Sequence, residues 1–154
     1  MIIHLENAEA TEKFGQALGK ALFNGAVVLL TGDLGAGKTF LTKGIATAQG
    51  VNAEEVVSPT FTLMNMYNGN MEIRHFDLYR LKSDEELDNI GFDEYCGGTG
   101  ITVIEWADLF MERMPQEYIL IKLLREDAGR RAEVTALGFE YEEVVEKLNV
   151  DFRN

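Results

Sequence analysis

Apolar positions along this chain change their period several times, and each change marks a new element. Ile2 to Leu5 is a short apolar run that predicts a strand. Asn7 then stands at the N-cap of a helix whose apolar residues Phe14, Leu18, Ala21 and Leu22 recur at helical spacing, and Asn24-Gly25 ends it. Ala26 to Leu30 is apolar throughout, as a buried central strand over residues 26–31 requires, and residues 38–49 return to a helix stopped by Gly50. Two strand-like segments follow, Thr60 to Tyr67 and Glu72 to Leu81, and the Asn68-Gly69-Asn70 between them has the composition of a hairpin turn. Ser83 opens an acidic helical segment with Leu87 and Ile90 inward. The loop Cys96-Gly97-Gly98-Thr99-Gly100 then leads into the strand Ile101 to Ile104. A second hairpin is predicted from Tyr118–Leu124 and Ala132–Leu137, with Asp127-Ala128-Gly129 as its turn, before a last helix marked by Tyr141, Val144, Val145 and Leu148. Helices interleaved with apolar strands imply a three-layer α/β fold, and the two hairpins make its mostly parallel central sheet a mixed one.

The length of 154 residues suits one domain that buries roughly two-thirds of its unfolded surface. The formal net charge of −12, from 26 acidic against 14 basic residues, speaks against direct binding to nucleic acid, which needs a basic stripe. Asp84, Glu85, Glu86, Asp88, Asp93 and Glu94 form an acidic run without an intervening Lys or Arg, which reads as a solvated helix face or as a docking surface for a basic protein. No run of 18 apolar residues exists, and the N-terminus lacks the basic and apolar regions of a signal peptide, so a cytoplasmic location is expected and no membrane partner. Cys96 is the only cysteine, which excludes an internal disulfide and a Cys-based zinc site; pairing it with His75 as a nucleophile is a minor alternative.

The chemistry is concentrated in Gly32-Asp33-Leu34-Gly35-Ala36-Gly37-Lys38-Thr39, which fits G-x-x-x-x-G-K-[ST] and lies between a predicted strand and a predicted helix. In that context the glycines let the backbone curl so that N–H groups and the helix N-terminus face one point, a cradle for phosphate. Lys38 reaches the β- and γ-phosphates, and the Thr39 hydroxyl is placed to ligate Mg²⁺. This predicts a P-loop NTPase fold over residues 1–154, with ATP and Mg²⁺ as cofactors. A metal-bound triphosphate also needs a carboxylate at a neighbouring strand end. Glu105, after the apolar Thr102-Val103-Ile104, is assigned to the metal, and Asp77, after the more polar Ile73-Arg74-His75-Phe76, to positioning the attacking water. Ser58-Pro59-Thr60 is extended by its proline and suits a segment that senses the γ-phosphate. Trp106 follows Glu105 directly, either beside the site or in the core.

With Gly-Asp-Leu-Gly-Ala-Gly-Lys-Thr at 32–39, Ser-Pro-Thr-Phe-Thr-Leu at 58–63, His-Phe-Asp-Leu-Tyr-Arg-Leu at 75–81 and Ile-Glu-Trp at 104–106, the chain resembles the bacterial TsaE (YjeE) family from about Thr11 to Arg131. Members are small P-loop ATPases in threonylcarbamoyl modification of the adenosine 3′ of the tRNA anticodon, and they work with TsaB and TsaD. The resemblance implies ATP phosphate binding at Gly32 and along Gly35, Ala36, Gly37, Lys38 and Thr39, with Phe40 next to them where many relatives carry another Thr. It implies Mg²⁺ at Thr39 and Glu105, activity dependent on Lys38, Asp77, Glu105 and Trp106, Thr11 near the adenine, and Arg130 near the nucleotide. It also implies an ATPase that is slow alone, is stimulated by TsaB–TsaD, and does not itself hold tRNA.

Two other nucleotide-dependent functions compete. A small-molecule kinase needs an arginine-rich lid, whereas of seven arginines only Arg130 and Arg131 adjoin. A GTPase-like switch needs a guanine-reading Asn-Lys-x-Asp segment, which is absent.

Overall fold

The computed structural model describes residues 1–33 and 35–152; Leu34 of the glycine loop and residues 153 and 154 lie outside them. Strands β1 (Ile2–Leu5), β2 (Val27–Gly32), β3 (Met64–Tyr67), β4 (Ile73–Asp77), β5 (Ile101–Glu105), β6 (Tyr118–Glu126) and β7 (Gly129–Leu137) form one sheet in the order β1-β7-β6-β2-β5-β4-β3. Its centre, β6-β2-β5-β4, is parallel, and the outer pairs β1–β7, β6–β7 and β3–β4 are antiparallel. Both predicted hairpins are present, and the sheet is the mixed one expected. The apolar run of β2 lies at the centre because both its faces are covered: Val28 and Leu30 face one core cluster, Val27 and Leu29 the other.

One layer holds α1 (Ala8–Ala21), α2 (Lys38–Ala48) and α5 (Phe139–Asp151), which contribute Phe14, Leu18, Leu41, Ile45, Val144 and Leu148 to the first core. The other holds α3 (Asp84–Asn89), α4 (Phe92–Tyr95) and the 3₁₀ turns of Ala107–Arg113, with Leu87, Phe92 and Ala107 in the second core. Asn7 caps α1 as its sequence position implies, its Oδ1 accepting from Ala10 N at 2.8 Å, and Ser83 caps α3 through Glu86 N at 3.2 Å.

The first hairpin is shorter than expected. Residues 60–63 are turns, and strand β4 stops at Asp77 rather than reaching Leu81. Leu63 adopts a left-handed φ of 68°, and its amide bonds back to Pro59 O at 2.7 Å, which closes the segment on itself. Among the described residues no helix is long and apolar enough to cross a membrane.

Candidate nucleotide site

Three parallel strands end side by side: the backbone register pairs Leu30 of β2 with Glu105 of β5, and Glu105 with Asp77 of β4. Such a row at the carboxyl edge of a parallel sheet is where α/β proteins place ligands. Here it opens into a cleft of about 340 Å³ lined by Gly35, Gly37, Lys38, Thr39, Phe40, Ser58, Thr60, Asp77, Tyr79, Glu105 and Trp106. Six of the expected site residues outside the glycines, Lys38, Thr39, Phe40, Asp77, Glu105 and Trp106, therefore meet in one cleft. The Ser58-Pro59-Thr60 segment borders it too.

Gly32 leaves β2 at φ 115°, where a side chain would stand 1.9 Å from Leu123 O, so glycine is required by both conformation and space. Gly37 at φ 105° leads into α2. Thr11, Arg130 and Phe40 surround Gly37, each within 4.0 Å of where a Cβ would lie. The Arg130 Nε donates to Ala36 O at 2.8 Å. Thr11 is buried and its hydroxyl donates to Asn7 O. Both residues thus lie against the loop, beside the cleft rather than among its lining residues.

Lys38 is 6% exposed, and its ammonium donates to Asp33 O at 3.0 Å and Gly32 O at 3.3 Å. It also lies 4.2 Å above the Trp106 ring. Burial lowers its pKa, although Glu105, Asp108, Asp77 and Asp33 each pull the other way. A partly desolvated cation held by carbonyls and a ring gains most from a strongly charged anion such as phosphate. Glu105 and Asp77 are both buried. Asp77 Oδ2 accepts from the Thr60 hydroxyl at 3.2 Å and Oδ1 from Tyr79 N at 3.0 Å, while the Ser58 and Thr60 hydroxyls lie 2.7 Å apart.

Trp106 lines the cleft and also packs against the second core. It adopts the left-handed conformation, φ 61°, held by its amide bond to Leu30 O at 3.0 Å and by a ring contact with Tyr79 at 4.8 Å. As the chain's only tryptophan, it gives an emission that comes from this place alone. Saturating MgATP is expected to draw the ammonium off the ring and shift the indole emission; an unchanged spectrum would separate nucleotide binding from Lys38.

Three residues of the site were not assigned to it from the sequence. His75 is fully buried and bonds to Glu105; its position two residues before Asp77 on a strand, hence on the same face, was the available signal. Tyr79, two residues after Asp77, had the same spacing in the predicted strand, whereas Arg125, beside Gly35, carries no comparable local mark. The alternative of a Cys96 nucleophile is not supported: burial pushes its thiol up to about 12, with Asp93 adding and Arg74 opposing.

The acidic run is less free than its sequence suggests. Arg113 reaches back from the 107–113 turns to Asp88 at 2.5 Å and Asp93 at 3.0 Å, and to Asp84 at 4.0 Å. No cluster of three or more His, Cys, Asp or Glu side chains that could hold a metal occurs among the described residues. The cleft is instead lined by the hydroxyls of Thr39, Ser58, Thr60 and Tyr79 and the carboxylates of Asp77 and Glu105, hard oxygen donors of the kind that suits Mg²⁺.

The profile of the family described as "Threonylcarbamoyl adenosine biosynthesis protein TsaE" matches residues 5–133. The "tRNA threonylcarbamoyladenosine biosynthesis protein TsaE" of Treponema pallidum is 42% identical over 129 residues, 84% of this chain and 94% of that protein. The protein of the same description from Bacillus subtilis is 40% identical over 149 residues, 96% and 90% of the two chains. The crystal structure of Bacillus subtilis YdiB superposes with a TM-score of 0.80 at 35% identity, covering 98% of this chain and 95% of that one. The chain belongs to the TsaE family.

Proposed function

We propose that this chain binds MgATP in the cleft and hydrolyses it to drive a step of tRNA threonylcarbamoyladenosine biosynthesis, the process its family serves. The observation that carries this reading is the convergence of a phosphate-binding loop, Lys38 and Thr39 on two buried strand-end carboxylates. Backbone amides of residues 35–39 and the Lys38 ammonium would hold the β- and γ-phosphates. Thr39 and Glu105 would hold Mg²⁺, which when bound neutralises charge on the phosphate oxygens. Asp77 is fixed by Thr60 and Tyr79, so its carboxylate has a defined direction in which to orient an attacking water. Thr11 and Phe40 would border the adenine, and Arg130 the nucleotide.

The −12 net charge supports a protein that acts on partner proteins, TsaB and TsaD, rather than gripping tRNA. Hydrolysis by the lone chain is expected to be slow and to rise when the TsaB–TsaD complex is added. No arginine-rich lid of the kind a small-molecule kinase needs lines the cleft among the described residues.

Two conservative substitutions test the reading. Glu105→Gln is expected to remove most of the gain in ATP affinity that Mg²⁺ provides, measured by calorimetry. Asp77→Asn is expected to leave MgATP affinity within about twofold while slowing partner-stimulated hydrolysis by two orders of magnitude or so, the range of a lost proton-handling group. Equal loss of Mg²⁺ dependence in both variants would overturn the division of roles, and normal hydrolysis in Asp77→Asn would overturn the assignment of the water.

A further inference from the structure

We propose that His75 is the positioning residue of Glu105, and that through Tyr67 it joins the metal-facing carboxylate to the segment Val57–Thr60. The inference rests on the MgATP reading above and assigns a role that this reading does not contain. His75 lies in β4 opposite Val103 in the register, so Glu105, two residues further along β5, is its diagonal neighbour on the same face. His75 Nε2 and Glu105 Oε2 are 2.5 Å apart, with the histidine side chain wholly buried and the glutamate nearly so. Two bare acceptors would repel at that distance, so a proton lies between them, and with Glu105 read as the metal-facing carboxylate Nε2 is the donor. Oε1 of the same carboxylate makes no side-chain hydrogen bond among the described residues, and it is not among the sealed and unpartnered atoms of the protein. One oxygen is therefore pinned and the other is left to the cleft that Glu105 lines.

The second ring nitrogen continues the chain of contacts. With its proton on Nε2 the ring accepts at Nδ1, which lies 3.4 Å from the Tyr67 hydroxyl; that hydroxyl accepts from Val57 N at 3.4 Å and has one proton to give, to Nδ1 or to Val57 O at 3.0 Å. Val57 immediately precedes Ser58-Pro59-Thr60, and Thr60 bonds directly to Asp77. The two ends of this short segment are thus tied to the two carboxylates, at one end through Tyr67 and His75, at the other without an intermediary. A carboxylate so fixed presents its free oxygen in one direction. Outer partners of this kind orient ligands, and their loss weakens metal binding.

The test is ATP binding measured by calorimetry in Mg²⁺ and in EDTA, for the full chain and four variants whose folding is checked by thermal melting. Asn at 75 retains an amide near the Nδ1 position but is too short to reach Glu105, whereas Gln reaches the Nε2 position. His75→Asn and His75→Leu are expected to lose about tenfold of the affinity gain that Mg²⁺ confers, with affinity in EDTA unchanged. His75→Gln is expected to restore the gain, a rescue that a purely structural role would not produce. Should the leucine variant not fold, the asparagine variant carries the test. A full Mg²⁺ gain in folded His75→Asn, or a loss in His75→Gln as large as in His75→Asn, overturns the assignment while the MgATP reading stands. A wild-type chain without any Mg²⁺ gain, or a Glu105→Gln variant that keeps it, overturns the underlying reading and the role of His75 with it.

Discussion

Lys38→Ala is expected to raise the dissociation constant for ATP at least tenfold, about 1.4 kcal/mol. Lys38 is the cation that the loop aims into the cleft, and its surroundings make it a poor resting ammonium: it is buried, its pKa is lowered by that burial, and its partners are two carbonyls and an aromatic ring. A phosphate offers more than those partners do, so the lost interaction falls on the complex more than on the free protein. The melting temperature should change little, because the carbonyls of Gly32 and Asp33 lose only a partner that ATP binding is expected to displace. Calorimetric titration with ATP decides the matter. An unchanged affinity would mean that the loop does not bind the phosphates, and the proposed function would fall.

Gly44→Ala is expected to destabilise the fold by about 3 kcal/mol or more, the upper range for overpacked sites. In a chain of this size that corresponds to a melting temperature lower by roughly 6–12 °C. Helix propensity alone predicts the opposite sign, since alanine is favoured over glycine by about 1 kcal/mol in a helix interior. The contact decides. A Cβ at Gly44 would lie 2.1 Å from Glu12 O and 2.8 Å from Gln16 N, while one at Gly15 would lie 2.3 Å from Leu41 O. These are backbone atoms of α1 and α2 facing each other, so neither side can yield by changing a rotamer. Since α1 carries Thr11 and α2 begins with Lys38 and Thr39, forcing the helices apart should also weaken nucleotide binding. A melting temperature equal to or above that of the wild type would show that the helices do not cross this closely.

Those glycines illustrate what the amino-acid pattern could and could not convey. Elements with strong local signals were legible: the apolar β2, the Asn7 cap, the glycine loop followed by a helix, and both hairpins are present, although the second turn is only Asp127-Ala128 because Gly129 already pairs with Glu126. Glu105 was legible as a strand-end acid for the same reason, whereas Asp77 ends its strand only because β4 stops short of Leu81. Features set by distant partners were not. Gly15 and Gly44 read locally as weak helix residues, and only the crossing of α1 and α2 gives them a purpose. Residues 60–63 carry β-prone side chains but form turns, because Thr60 bonds to Asp77 and Leu63 turns back on Pro59. The acidic run looked uncompensated because Arg113 lies 20 residues beyond Asp93. His75 belonged visibly to a strand, yet its acidic partner is 30 residues away on another one.

The register of β4 against β5 has a consequence for how this protein can vary. Within Ile73–Asp77, His75 and Asp77 share a face because they are two residues apart, and inserting or deleting a single residue between strand entry and His75 would turn both to the opposite layer. Substitutions at Phe76 that keep an apolar side chain of similar volume alter only the second core. A change of length there would exchange His75 and Asp77 for apolar neighbours without altering the identity of either. Heredity in this segment is therefore constrained more tightly in spacing than in composition, and divergence should accumulate as replacements in place rather than as gaps.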